Sequence, residues 1–474
     1  MKKLTLAILL SLTTMSPGWA TTYYLATPIA GGNDLNNGTS ASTPWQTPNH
    51  ALNCGDIILA AKGTYAESIF YATNWGAVTC PAGDNVAWLK CASFDTCKVN
   101  AVLGTAMAIG SSYWGVLGWE VTSSMGACIL VYPPTTSKSI HHVVIANNIA
   151  NGCYYNGIGS TNHGAASSDY LAFVGNIVYD AAQGSTFCPT GITVYQPLAN
   201  DSLPGTHLYI GGNFSFDNVD PNPCNGGAPT DGQGILLDHF DGTDGLGIPY
   251  TMQAVADNNI TIFNGAAGVM SGANQSGAVH APVFIRHNTT YGNAKGSTKN
   301  APLCGEMIIS LSDNTQVYQN LAATNAATGC TGSVLYAYQV NLTDAESSIH
   351  NNYGYSATGD NTFDNSGSGI TPFGPNNVFG SSPGFVDPID PGAPNCAGFA
   401  SVPACMAKVI ADFTPTNPVA APYGYQVPST VETYDPLFPQ WLCNVNLPPG
   451  LVTMGCLAKS ALPASPTITG VKVQ

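Results

Sequence analysis

The 474-residue chain is poor in charge, and poorest in positive charge. Charged residues are 8% of it, Lys and Arg together number 12, and the formal net charge is −15 at pH 7. Setting aside Lys2 and Lys3, which belong to an N-terminal leader, the balance is −17, with nine lysines and a single arginine, Arg286. There is no basic patch, which excludes a nucleic-acid partner. A free polyanion would also be repelled at long range, unless a bound cation reversed the field locally. No CxxC pair occurs, so a zinc ribbon is disfavoured. G-x-S-x-G, P-loop and dinucleotide fingerprints are missing too. After the leader, no apolar run approaches the ~20 residues that span a bilayer, so no membrane insertion is expected.

The leader is MKKLTLAILLSLTTMSPGWA. Lys2 and Lys3 precede an apolar Leu4–Leu12 stretch, and small residues Gly18 and Ala20 end it. This reads as a signal peptide over residues 1–20, giving a secreted or periplasmic, soluble protein, expected to be a monomer. All 14 cysteines follow it, an even number that suggests disulfides in an exported chain. Cys396–Cys405 and Cys443–Cys456 are plausible local pairs. Hydrophobic residues at 44% argue against the disorder that 52 Gly and 33 Pro might suggest.

A repeat runs through the middle of the chain. Seven segments each read as strand, asparagine, second short strand, for example VVIANNIANG, LAFVGNIVYD and LYIGGNFSFD. Aligning Asn148, Asn176, Asn213, Asn259, Asn288, Asn320 and Asn352 gives spacings of 28, 37, 46, 29, 32 and 32. A loose period with a fixed asparagine is a solenoid signal. Stacked amides one strand spacing apart, ~4.8 Å, can bond in a ladder. N-glycosylation is the alternative for the N-x-[ST] sites at Asn213, Asn259 and Asn288. The two long intervals, consecutive, carry insertions at 182–204 and 217–252; insertions of this kind map to loops on one face, often the binding face.

Residues 21–66 hold Tyr23-Tyr24, a loop with Gly32, Asp34 and Gly38, then Gly55-Asp56-Ile57-Ile58 and Gly63-Thr64-Tyr65. In this order the segment resembles the opening of secreted right-handed parallel β-helix proteins of the pectate-lyase-like superfamily, and GFVDP at 384–388 is similar to their last coils. The resemblance implies an all-β, single-stranded right-handed parallel β-helix. It divides the chain into an N-terminal cap and first coil (21–100), the β-helix (101–390) and an irregular disulfide-tied tail (391–474). The tail holds 13 of the 33 prolines, a frequency that excludes ladder strands, and Phe438 and Trp441 as anchors. In function it implies a carbohydrate-active protein acting on a polysaccharide, first of all a lyase cleaving an acidic glycan by β-elimination. A non-enzymatic glycan-binding or adhesin-like β-helix is the alternative, and a glycoside hydrolase using paired aspartates is the second.

The densest carboxylate stretch is TDGQGILLDHFDGTDG, residues 230–245. Asp231, Asp238, Asp241 and Asp244 fall within it, around a short strand whose Ile235 and Leu237 face one way and Leu236 and Asp238 the other. Aspartates beside glycine are ordinary turn formers. The functional alternative gives Asp238, Asp241 and Asp244 to a Ca²⁺ ion and Asp231 to acid–base work. Calcium lyases of the superfamily carry a Lys base in a G-x-G-F-K-type strand; the comparable piece here has Ile235 in that place. Lys295, Arg286 and Lys299 are the substitutes for the base. His239, Phe240 and Tyr195 are the candidates for holding a sugar ring, with Trp114, Trp119, Tyr154 and Tyr155 behind them. The polygalacturonase residue set is absent.

Overall fold

The computed structural model describes residues 20–80, 85–184, 188–222, 231–242, 246–273, 280–295, 304–325, 335–341, 347–357, 363–364, 376–427, 435–445 and 447. Residues 1–19, Asp244, Lys299 and Cys456 lie outside the described residues.

Three strands and three corners make one coil. The first sheet stacks eleven strands from Thr22–Leu25 to Ser348–His350, the second eleven from Gly63–Tyr65 to Val378–Phe379, and the third nine from Met107–Ile109 to Phe363–Asp364. Every strand pairing described is parallel. This is the right-handed parallel β-helix. The alternation in the 235–238 strand holds: Ile235 and Leu237 join the interior cluster, and Leu236 and Asp238 face out.

The corner between the first and second sheets explains the repeated asparagine. Each coil places one left-handed residue there: Asn147, Gly175, Gly212, Asn258, His287, Gln319 and Asn351, with φ between +51° and +66°. The next residue is the ladder asparagine. Its Oδ1 accepts from the backbone N–H and the Nδ2 of the asparagine one coil earlier, at 2.8–3.2 Å. Its own Nδ2 also reaches a backbone carbonyl, as Asn213 reaches Phe173. The row runs from Asn148 to Asn377, one rung beyond the seven read in the sequence. Asn213, Asn259 and Asn288 have no solvent exposure, which overturns glycosylation at those sites.

A second ladder stands at the next corner. Asn218, Asn264 and Asn293 follow the left-handed Asp217, Phe263 and Gly292 and bond in the same way. Where the next rung would be, the carboxylate of Glu306 accepts from the Asn293 backbone N–H (3.0 Å) and Nδ2 (2.6 Å). Burial pushes the Glu306 carboxyl up to about 8, against the bonds from Asn293 and the Gly292 backbone.

Disulfides join Cys54–Cys80, Cys91–Cys97, Cys128–Cys153 and Cys396–Cys405. Cys443 is disulfide-bonded as well. The tail wraps the stack on two faces. The helices Val402–Cys405 and Ala407–Asp412 pack Val402, Met406 and Val409 against Ile177, Phe214 and Ile260 of the second sheet. Phe438, Trp441, Leu442 and Val445 cover the outer face of the first sheet over Val144, Ala172, Tyr209 and Val255. On that face Gly115 lies under the Trp88 ring, where a Cβ would come within 2.3 Å of it.

Two measurements test these ladders. Asn213→Ala strands the buried Asn176 donors on one side and removes a donor from Asn259 Oδ1 and the Phe173 carbonyl on the other; it is expected to cost about 3 kcal/mol or more in urea unfolding, while exposed Asn49→Ala changes little. Glu306 binds a proton in the folded protein that the unfolded chain releases near pH ~4.3. Stability therefore falls as pH rises from there to about 8 and is level beyond. Glu306→Gln is expected to shrink the drop in urea midpoint between pH 5 and pH 8; an unchanged drop would count against it.

Candidate functional site

The sequence candidates are distributed over three corners. Asp238 ends the strand Ile235–Asp238 of the third sheet, between Tyr195 and Gly272 in register. His239 is the left-handed corner residue there (φ +55°), with Nδ1 2.6 Å from Asp238 Oδ1 and its ring 5.3 Å from Tyr195. These three therefore come together. Asp231 lies before the same strand, whose four residues at ~3.3 Å each separate it from Asp238 by ~10 Å or more, and is buried with Gln233 beside it. Asp241 is buried. Phe240 turns inward against Tyr250 and His280, so it is a core side chain instead of a sugar platform. Trp114 and Trp119 are likewise fully buried. Among the described residues, no three His, Cys, Asp or Glu side chains gather as a metal cage. Asp238 and Asp241 alone do not complete one.

The two described candidates for the base lie elsewhere. Arg286 is on the first sheet, bonded to Asp257 at 2.9 Å and to Asp435 of the tail. Burial works against its charge, but the two carboxylates outweigh burial and raise its pKa further. Lys295, beyond the second sheet, is held by Asp217 (2.6 Å) and Asp390 (3.1 Å). There too burial lowers the pKa and the carboxylates win, so it is raised. A general base needs the opposite shift. The electrostatic role of both is to clamp the tail to the coils.

The feature that sequence reasoning missed is at the start of the first-sheet strands. Successive coils there carry a residue that drops out of the strand pairing. His141 pairs with Asp169 and Val143 with Leu171, leaving His142 and Tyr170 unpaired opposite one another without a shift of register. His207 is skipped between Thr206 and Leu208, and Tyr113 precedes the strand Trp114–Leu117. Tyr113, His142 and Tyr170 have φ of +64°, +56° and +48°. Left-handed backbone at bulky side chains costs about 1–2 kcal/mol each and is concentrated at functional sites. Here it aims three rings into one stack, which His207 completes. Tyr113 lies 4.9 Å from His142, His142 4.2 Å from Tyr170, and Tyr170 3.8 Å from His207, all near parallel. Trp441 stands edge-to-face against His142 and Tyr170 at 5.3 and 5.9 Å.

A buried carboxylate holds this stack and ties the two long insertions together. Asp169 accepts from the Tyr170 N–H (2.9 Å), the Asn200 N–H (2.7 Å), His207 Nδ1 (3.1 Å) and the Tyr250 hydroxyl (2.6 Å). Asn200 belongs to the first insertion and Tyr250 to the second. His207 Nε2 faces the Leu203 carbonyl at 2.9 Å. Both its ring nitrogens thus face acceptors. Burial, and then His141, pushes the His142 imidazole down to about 3, so it is neutral at pH 7.

Beside the stack is a cavity of about 530 Å³. The four rings wall one side, the Asn200–Thr206 loop another, and Phe438, Gln440, Trp441 and Asn444 of the tail the third. Asp201 sits on the loop. Burial alone would raise its carboxyl, but the Leu203 N–H (2.9 Å) and the Tyr170 hydroxyl (2.8 Å) more than offset it, so Asp201 is held below the ordinary range and ionised at neutral pH. The arrangement can recognise hydroxyl groups and apolar ring faces.

Tyr250→Phe removes one charge-assisted bond to Asp169 and is expected to destabilise the protein by about 1.5–3 kcal/mol. Thermal unfolding checks this; an unchanged melting temperature would mean Asp169 does not hold the insertions.

No protein-family model and no curated protein sequence matches the chain. Solved structures do. Pectate lyase Pel9A superposes at a TM-score of 0.50 with 17% identity, covering 78% of this chain and 84% of that one. The A-module of the Azotobacter vinelandii mannuronan C-5 epimerase AlgE6 gives 0.37 and 11%, over 68% and 89%. A mannuronic acid specific polysaccharide family 6 lyase from human gut microbiota gives 0.36 and 12%, over 74% and 84%. At these identities the likeness is one of fold: the chain is a right-handed parallel β-helix protein of the pectate-lyase-like architecture.

Proposed function

We propose that the chain is an exported carbohydrate-active β-helix protein that holds a polysaccharide in the groove between the Tyr113–His142–Tyr170–His207 stack and the tail. The observation that carries this is the cavity of about 530 Å³ itself, walled by aromatic rings on strained backbone and by Trp441. Its volume falls within the ~300–1,000 Å³ of small-ligand sites. Aromatic side chains with polar tips suit sugars, which present hydroxyls at the rim and C–H groups on the faces. That pectate lyase Pel9A shares the fold supports the polysaccharide class.

The second reading is β-elimination on an acidic glycan, with Ca²⁺ held by Asp238, Asp241 and Asp244. What favours it is Asp238 at the third-sheet corner, with Tyr195 and His239 alongside. Against it, Arg286 and Lys295 are each neutralised by two carboxylates.

One panel separates the readings. Uronate and neutral polysaccharides are incubated with the protein, with Ca²⁺ or with chelator, and followed by retention, by new reducing ends and by the ultraviolet absorbance of unsaturated uronate. Retention that Trp441→Ala weakens at least tenfold, without new absorbance, is expected. Absorbance that rises with Ca²⁺ and disappears in Asp238→Ala would establish the lyase instead. New reducing ends without it would point to hydrolysis by paired aspartates.

A further inference from the structure

We propose that the cavity beside the ring stack is a site for an uncharged sugar unit, gripped between the indole N–H of Trp441 and the carboxylate of Asp201, and closed to uronates. This rests on the carbohydrate reading above and adds the substrate class and two recognition groups.

One observation points to a ligand independently of the stack, and a second names a group that would meet it. Trp441 is 7% exposed, yet its Nε1 meets no acceptor among the described residues. A buried donor without an acceptor costs about 1–3 kcal/mol, so such groups are rare and call for a partner. Trp441 lines the cavity. On the loop across from it, both bonds to Asp201 fall on Oδ1, and among the described residues none falls on Oδ2. Trp441 thus carries an unmatched donor at the cavity wall, and Asp201, on the exposed side of the loop, an acceptor open to solvent or ligand. A sugar hydroxyl is both, and a sugar ring carries several. Gln440 and Asn444 add amides to the same lining.

The faces of the stacked rings are occupied by one another, at 3.8–4.9 Å. They meet a ligand with their edges, and the Tyr170 hydroxyl is already bonded to Asp201 on the cavity loop. Such a wall recognises polar substituents and fixes orientation.

Charge decides the class. Among the described residues, no Lys or Arg lines the cavity. His207 is engaged by the buried Asp169 and by the Leu203 carbonyl, and His142 is neutral. The remaining formal charge on the lining is that of Asp201, which repels a second carboxylate. The net charge of −15 on the whole chain adds to that repulsion. A uronate would be desolvated there beside a like charge, with no cation to receive it.

The test is calorimetric titration of the full exported chain with oligosaccharides cut from neutral polysaccharides (xylan, glucan, mannan) and from polyuronates. Trp441→Phe keeps the ring and removes the N–H; Asp201→Asn keeps the shape and removes the charge. The expected result is binding of a neutral oligosaccharide, weakened about tenfold or more by Asp201→Asn and a few-fold by Trp441→Phe, with unfolding curves showing both variants folded. Stronger binding of a polyuronate, or a gain of polyuronate binding in the wild type over the neutral series, would overturn the neutral class and leave the carbohydrate reading standing. Neutral binding that neither variant alters would overturn the site. Binding of no glycan at all would overturn both.

Discussion

The structure depends on how a chain turns a corner without leaving a buried amide unpaired. Each coil leaves the first sheet on one left-handed residue and enters the second on an asparagine. At such a bend the backbone N–H no longer points along the ladder of strand hydrogen bonds. The Oδ1 of the next coil's asparagine receives it, and the Nδ2 of the same rung is satisfied alongside. The requirement is positional: a side chain one bond shorter or longer would miss, and a serine would supply one group where two are needed. This fixes the corner in every coil from Asn148 to Asn352. It also fixes the register of the three sheets, because a one-residue slip would turn the inward Val, Ile and Leu to solvent.

With two corners pinned by amide ladders, variation is left to the loops and to the edges. The two long intervals depart from the coil at its other points, and Asp169 draws them together by accepting from both. Strain is tolerated at that edge because the coils above and below over-determine the backbone. Tyr113, His142 and Tyr170 hold positive φ in a place where a single isolated turn would relax. The tail then closes the edge from outside. Its anchor is partly apolar, through Phe438 and Trp441, and partly electrostatic, through Asp435 on Arg286. The one arginine of the chain is thus spent on docking the tail that completes the cavity.

Some of this was legible in advance for a definite reason. The first ladder shows because its spacing survives as a period in the sequence. The second was equally open to view: Asn218, Asn264 and Asn293 each lie five positions after Asn213, Asn259 and Asn288. It was hidden at its end by Glu306, a different residue type in a rung position. The aspartates of 231–241 drew notice through density along the chain, but a strand separates Asp231 from Asp238, and density along a strand is not proximity in space. The stack was invisible because Tyr113, His142, Tyr170 and His207 alternate tyrosine with histidine, so intervals of 29, 28 and 37 residues, though coil-length, join unlike residues at each step.

The sequence by itself determined the solenoid, its inward apolar face and the asparagine rows, since these follow from a local pattern repeated at coil length. It also bounded the chemistry, through a charge balance too negative for nucleic acid. Only the tertiary structure decided which side chains share a site. Coil stacking sets residues some 30 positions apart into contact, left-handed backbone chooses which of them project, and the tail brings Trp441 to a loop 240 residues earlier. Those distances are set by packing in three dimensions, which no spacing along the chain encodes.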